Sequence, residues 1–182
     1  MTEVGQEIAA AGAQDWGAPA AKTVQWYDPK ITAEAAARMA GLDFLRAIRD
    51  GLLPPPPIAS LLGFAATELE RGYVVFEGTP DESVYNVLGV VHGGLVCAVA
   101  DTVAALAVRT TLEAGVGYTS IDLNVSYTRP VTRESGTLRA VGTIVKPGRR
   151  VAFCRADIFD GAGKVVAAAT SSCLVMPGAA AG

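Results

Sequence analysis

The sequence predicts an α+β domain in which one long helix follows two strands and packs on an antiparallel sheet that continues with four more. Three observations carry this. Residues 95–108 form an apolar run interrupted by Asp101 and Thr102, long enough for a buried helix but short of the roughly 20 residues of a membrane span. Residues 118–129 alternate, with Ile121, Leu123, Val125 and Tyr127 on one side and Ser120, Asp122, Asn124 and Ser126 on the other, which is the period of a strand. Three further strand-like runs, 136–145, 151–159 and 164–176, are joined by short turn sequences.

Taken in order, residues 1–31 are rich in Ala, Gly and Gln without a sustained period and read as a mobile arm that docks through Trp16, Trp26 and Tyr27. Residues 32–57 supply one helix and a connector. Thr32 is the expected N-cap, with Glu34 in the first turn, Met39, Leu42, Leu45 and Ile48 at helical spacing, Arg46 and Arg49 near the end and Gly51 as terminator. The prolines Pro54–Pro57 then impose an extended segment. The main domain is expected over residues 58–177, with a flexible tail at 178–182. It opens with strands at 64–70 and 73–79 around an Arg71-Gly72 turn. Later, Pro147-Gly148 suits a type II turn and Asp160–Gly163 closes the next hairpin. The last strand is apolar on both faces, Val165, Ala167 and Ala169 against Val166, Ala168 and Leu174, so a second subunit is expected to cover the sheet.

With 51% hydrophobic and 18% charged residues the chain is composed like a soluble globular protein, and a net charge of -3 excludes an overall basic field. Neither nucleic acid nor membrane is an expected partner. No basic n-region precedes an apolar h-region, so a cytoplasmic location is expected. Cys97, Cys154 and Cys173 lack a CxxC spacing and the chain has a single histidine, which favours reduced thiols and gives a zinc site little support.

The chemistry concentrates between Tyr85 and Arg109. An ionised Asp101 left unpaired in an apolar helix costs several kcal/mol. It is either a general base or nucleophile toward an acyl carbon, or a polar residue satisfied by Thr102 or a neighbouring chain. His92-Gly93-Gly94 opens the helix with no Ser, Thr, Asp or Asn at the capping positions, leaving the first amides free to receive a carbonyl oxygen that gains negative charge. Alternatively the glycines serve a tight turn. His92 acts as a base or orders the loop, and Asn86 orients substrate or makes a turn. Lys146, Arg149 and Arg150 bind phosphates or form a solvated hairpin tip. Gly93 and Asp101 lie about 12 Å apart along the helix axis, so one carbonyl reaches both only if a second subunit supplies one of them.

The pattern Asn86-x2-Gly89-x2-His92-Gly93-Gly94-x6-Asp101, followed by a strand ending Tyr127-Thr128-Arg129-Pro130, resembles the hotdog-fold acyl-CoA thioesterases of the PaaI-like group. The resemblance spans residues 64–176, with 51–63 similar to the usual lead-in. It implies a long helix in a curved six-stranded antiparallel sheet, with protomers joining sheets into a homodimer, often paired again as a homotetramer. It further implies that the Gly93 amide binds the thioester carbonyl, that Asp101 of the opposite subunit attacks or activates water, and that Asn86 and His92 help hold carbonyl or water. Gly94, Ser120, Thr102, Lys146, Arg149 and Arg150 complete the expected substrate-binding set. The expected reaction is hydrolysis of an acyl-CoA to free acid and coenzyme A without cofactor. Competing readings are a hydratase or dehydratase of the same fold, for which the His92 to Asp101 spacing is a poor match, and a non-catalytic acyl-CoA binding module. A DNA-binding sensor is disfavoured by an N-terminal segment with one expected helix.

Overall fold

The computed structural model describes residues 17–176 and Gly178. Four helices, α1 (Pro29–Arg38), α2 (Gly41–Arg49), α3 (Pro57–Leu62) and α4 (Gly93–Arg109), accompany six strands. The strands are β1 (Ala65–Glu70), β2 (Tyr73–Gly78), β3 (Gly117–Tyr127), β4 (Leu138–Lys146), β5 (Val151–Phe159) and β6 (Val165–Met176). All pair antiparallel in one curved sheet of order β1-β2-β4-β5-β6-β3, so β1 and β3 are its edges.

Helix α4 crosses one face of this sheet because its apolar residues form a stripe matching the inward rows of the strands. Val96, Val99, Val103 and Ala107 bury against Val74, Leu138, Ala140 and Ile158. Gly142 on β4 fixes the closest approach: a Cβ there would lie 2.0 Å from the Val103 carbonyl oxygen. Small residues therefore seat α4 on its sheet.

Two local departures from the expected pattern matter. In β3 the pairing with β6 steps from Ser120–Cys173 to Asp122–Ser172, leaving Ile121 as the extra residue of a bulge, 55% exposed. The bulge shifts the alternation by one. Ser120 thus shares the helix-facing side with Leu123 and Val125, where strict alternation had put them on opposite faces. The β4–β5 turn also differs. Gly148 is absent from the positive-φ glycines, so the turn is not type II; glycine is required because a Cβ would meet the Val151 carbonyl oxygen at 1.9 Å.

Among the described residues, the N-terminal segment contains three helices where one is expected. Helix α1 starts at Pro29, capped by Asp28, whose carboxylate accepts from the Lys30 amide at 2.9 Å. Thr32 is not the cap; it is buried with its hydroxyl 3.4 Å from the Pro54 carbonyl. Met39 and Ala40 are extended and break the periodic run into two helices. Arg109, only 3% exposed, explains the break: its guanidinium donates to the carbonyls of Ala36 (2.6 Å), Met39 (3.0 Å) and Val116 (3.1 Å) and lies over the Phe44 ring. Gly41 touches the Arg109 carbonyl so closely that a Cβ would sit 1.7 Å from its oxygen. Pro57, expected in the extended connector, opens α3 at a position where proline is tolerated.

Of the residues expected in a mobile arm, Lys22 ion-pairs with Asp81 at 2.7 Å. Trp26 and Tyr27 are 65% and 66% exposed, so these aromatics do not dock on the described residues. Trp16 and most of the expected tail lie outside the described residues. No helix among the described residues is long and apolar enough to cross a membrane.

Candidate active site

Asp101 sits on a half-buried side of α4, one turn from Cys97, Ala98 and Ala105. The bulge in β3 aims Ser120 at it, and the Ser120 hydroxyl donates to Asp101 Oδ1 at 2.7 Å. This pair answers the cost of placing a carboxylate in an apolar helix: a charge-assisted hydrogen bond holds one oxygen, and partial exposure leaves the group hydrated. Thr102 does not satisfy Asp101. Its hydroxyl donates to the Ala98 carbonyl at 2.8 Å, a local bond along the helix.

The start of α4 is capped after all. His92 Nδ1 accepts from the Gly94 amide at 2.8 Å, which corrects the expectation that no side chain serves the first amides. A histidine can play this part because Nδ1 carries a lone pair in the neutral ring. The Gly94 amide is therefore engaged, whereas the Gly93 amide has no acceptor among the described residues. Below the turn, the Asn86 side-chain oxygen accepts from the Leu88 amide at 2.8 Å and its backbone amide donates to Val90, an Asx-type turn. The resulting loop presents Val87 and Leu88 to solvent, at 102% and 80% exposure.

Tyr127 is the residue that sequence reasoning did not place in the site. Its hydroxyl donates to the Gly93 carbonyl at 2.9 Å, and a Cβ at position 93 would come 3.2 Å from its ring. The signal was present as the last position of the alternating strand, since Tyr127 ends the row that faces the helix. Burial and the Cys97 thiol beside it raise the phenol above its ordinary pKa.

Between α4 and the N-terminal helices lies an apolar chamber of about 430 Å³, lined on the helix side by Val99, Thr102, Val103 and Leu106 and on the sheet side by Tyr118. Burial pushes the Tyr118 phenol up to about 12. Lys146, Arg149 and Arg150 are exposed at the β4–β5 hairpin. The register places that hairpin at the sheet end carrying Ser120, through Ser120–Cys173–Ala152, and away from the Tyr127 end. Cys97, Cys154 and Cys173 are free thiols. A hydrogen bond with Cys173 and burial push the Cys154 thiol upward, as suits a packed, unreactive group. No His, Cys, Asp and Glu cluster among the described residues has the makings of a metal site.

Residues 88–167 match the profile of the Thioesterase superfamily. Human acyl-coenzyme A thioesterase 13 is 30% identical over 97 residues, 53% of this chain and 68% of that protein. A thioesterase of Haemophilus influenzae superposes with a TM-score of 0.62 at 26% identity, covering 66% of this chain and 83% of the other. The E. coli PaaI protein shares the fold, with a TM-score of 0.65 at 20% identity over 81% of this chain and 97% of its own. The long helix across a curved six-stranded sheet is thus the hotdog architecture of these proteins, and the chain belongs to the thioesterase superfamily.

Proposed function

We propose that the protein hydrolyses acyl-CoA thioesters at sites shared between two subunits. The observation that carries this is the separation of two complementary groups on one helix. Gly93 offers an amide without a partner among the described residues at the positive end of α4, and Asp101 stands about 12 Å further along the axis, oriented by Ser120. A twofold axis passing near Cys97, midway between them, sets two such helices antiparallel and brings each Gly93 toward Asp101 of the partner subunit. The small, half-buried Cys97 and Ala98 permit that approach. The outer edge of β3, eleven residues long, supplies unpaired backbone groups for joining the two sheets.

In this arrangement the thioester carbonyl accepts from the Gly93 amide, which stabilises the oxyanion formed on attack. Asp101 of the partner subunit either removes a proton from water, whose attack and collapse give the free acid and the coenzyme A thiolate, or attacks the carbonyl itself, expelling the thiolate and leaving an acyl-aspartyl anhydride that water then cleaves to the acid. His92 orders the turn that presents the amide, and Asn86 braces the preceding loop. Gly94, Thr102 and Ser120 line the path, and Lys146, Arg149 and Arg150 are assigned to the coenzyme phosphates. Residues 58–177 form the catalytic domain. The free thiols fit a reducing, cytoplasmic compartment. The exposed Val145 and Phe153 on the outer face of the sheet support pairing of dimers into a tetramer.

Thiol release from acyl-CoA, followed with a chromogenic disulfide, tests the reading against the Asp101→Asn variant. Asparagine keeps an oxygen to accept from Ser120, so the fold persists, while loss of the base lowers kcat by about 10²–10⁴. Unchanged turnover would remove Asp101 from the mechanism. Tight acyl-CoA binding without thiol release would instead identify a binding module, and loss of an enoyl double bond without thiol release a hydratase.

A further inference from the structure

Resting on the thioesterase reading above, we infer that helices α2 and α3 act as the acyl-length gauge of the enzyme, with Ile48 and Ala59 determining how long an apolar acyl group it accepts. Both residues line the 430 Å³ chamber from the side opposite α4. A cavity of that size lies within the range that engulfs small ligands.

Position ties the chamber to the chemistry. Thr102, on its wall, follows Asp101 directly on α4, and Tyr118, also on its wall, is two residues from Ser120 on the same face of β3. A thioester held at Asp101 therefore has the chamber beside it for its acyl tail. The lining chemistry selects what enters. The hydroxyls of Thr32 and Thr102 are engaged by the Pro54 and Ala98 carbonyls, and Arg49 is held by Asp50 at 2.8 Å. No carboxylate of the described residues lines the space, and the remaining surface is aliphatic and aromatic. The Tyr118 hydroxyl has no hydrogen-bond partner among the described residues, and no fully enclosed side-chain polar atom lacks one, so this oxygen faces open space.

The gauge is also separable from the catalytic segment. Ile48 and Ala59 lie outside residues 88–167, which carry the superfamily match, whereas Gly93, Asp101 and Ser120 lie within them. Arg109 clamps the N-terminal layer to the end of α4, so the wall is a fixed part of the domain with a defined distance to Asp101. Changing the wall then alters chain length without disturbing the reacting groups.

The test compares kcat/KM for butyryl-, octanoyl- and dodecanoyl-CoA by thiol release in wild type, Ile48→Ala and Ala59→Leu. Each buried methylene contributes about fourfold to kcat/KM. Ile48→Ala removes three carbons from the wall and is expected to raise the dodecanoyl-to-butyryl ratio about tenfold or more, while Ala59→Leu adds three and lowers it similarly. If Ile48→Ala does not fold, Leu62→Ala on α3 replaces it with the same expected direction. A wild-type enzyme that releases thiol while both variants keep its ratio, or shift it the same way, overturns the gauge and leaves the thioesterase reading standing. No thiol release from any of the three substrates with wild type overturns both.

Discussion

Replacing Gly93 by proline deletes the amide proposed to bind the thioester carbonyl and little else that α4 requires. Proline is tolerated at the first position of a helix, where its missing N–H has no helical partner. The preceding residue, His92, already has φ -61° and ψ 131°, an extended conformation that proline accepts in its neighbour. The Gly93 carbonyl still receives the Tyr127 hydroxyl, and the His92 cap on the Gly94 amide is untouched. The remaining disturbance is steric: a new Cβ lies 3.2 Å from the Tyr127 ring, which is half exposed and free to tilt. Gly93→Ala introduces the same contact but keeps the N–H, so the two variants together isolate the amide. Removing one donor to a developing oxyanion lowers kcat by about 10²–10³, equivalent to about 2.7–4 kcal/mol of barrier. Gly93→Ala should stay within about tenfold of wild type, since only the ring is displaced. Thiol release under saturating acyl-CoA, with thermal melts to confirm folding, measures both. A proline variant as active as the alanine variant would refute the role of this amide.

The shared site makes a statistical prediction: after subunit exchange in a 1:1 mixture of Asp101→Asn and Gly93→Pro chains, half the dimers are mixed and each has one intact site, so about a quarter of wild-type activity returns. No recovery after exchange verified by mass spectrometry would place both groups in one subunit. Gly142→Ala puts a methyl 2.0 Å from the Val103 carbonyl oxygen, so overpacking should destabilise the protein by about 1–3 kcal/mol or more, read as a fall in Tm. Tyr118, raised to about 12, should ionise later than an ordinary phenol in an ultraviolet titration. Because its folded pKa lies above its unfolded one, its stabilisation is complete below about pH 10 and is lost as pH rises through about 12. Denaturation of wild type against Tyr118→Phe across that window checks it; parallel curves would show that the phenol is not perturbed.

The sheet was legible from sequence because alternation, turn residues and strand-length apolar runs report directly on backbone direction. The same periodicity missed the bulge at Ile121, since one inserted residue leaves composition unchanged while exchanging the faces on either side. That insertion is what turns Ser120 toward Asp101, so the two residues were each noticed but their pairing was hidden. The break at Met39 was invisible for a related reason: Met39, Leu42, Leu45 and Ile48 keep helical spacing, and only the distant Arg109 reveals why the chain leaves the helix there. Capping by His92 was overlooked because histidine is not among the usual capping residues, although its ring nitrogen meets the same geometric need. The chamber could not be read at all, as its walls come from residues as far apart in the chain as Thr32 and Tyr118.

Arg109 has one more consequence. Its buried guanidinium has main-chain carbonyls as its partners, two of them near the end of α1, where the helix leaves negative partial charge. Burial lowers its pKa, but no titratable group sits opposite it in these bonds. Acid therefore has no carboxylate to neutralise at this joint, and salt has little access to screen it. The seam between the N-terminal layer and the rest of the domain is thus welded by main-chain bonds that acid and salt scarcely reach, while the Ala36 and Met39 side chains add apolar packing beside it.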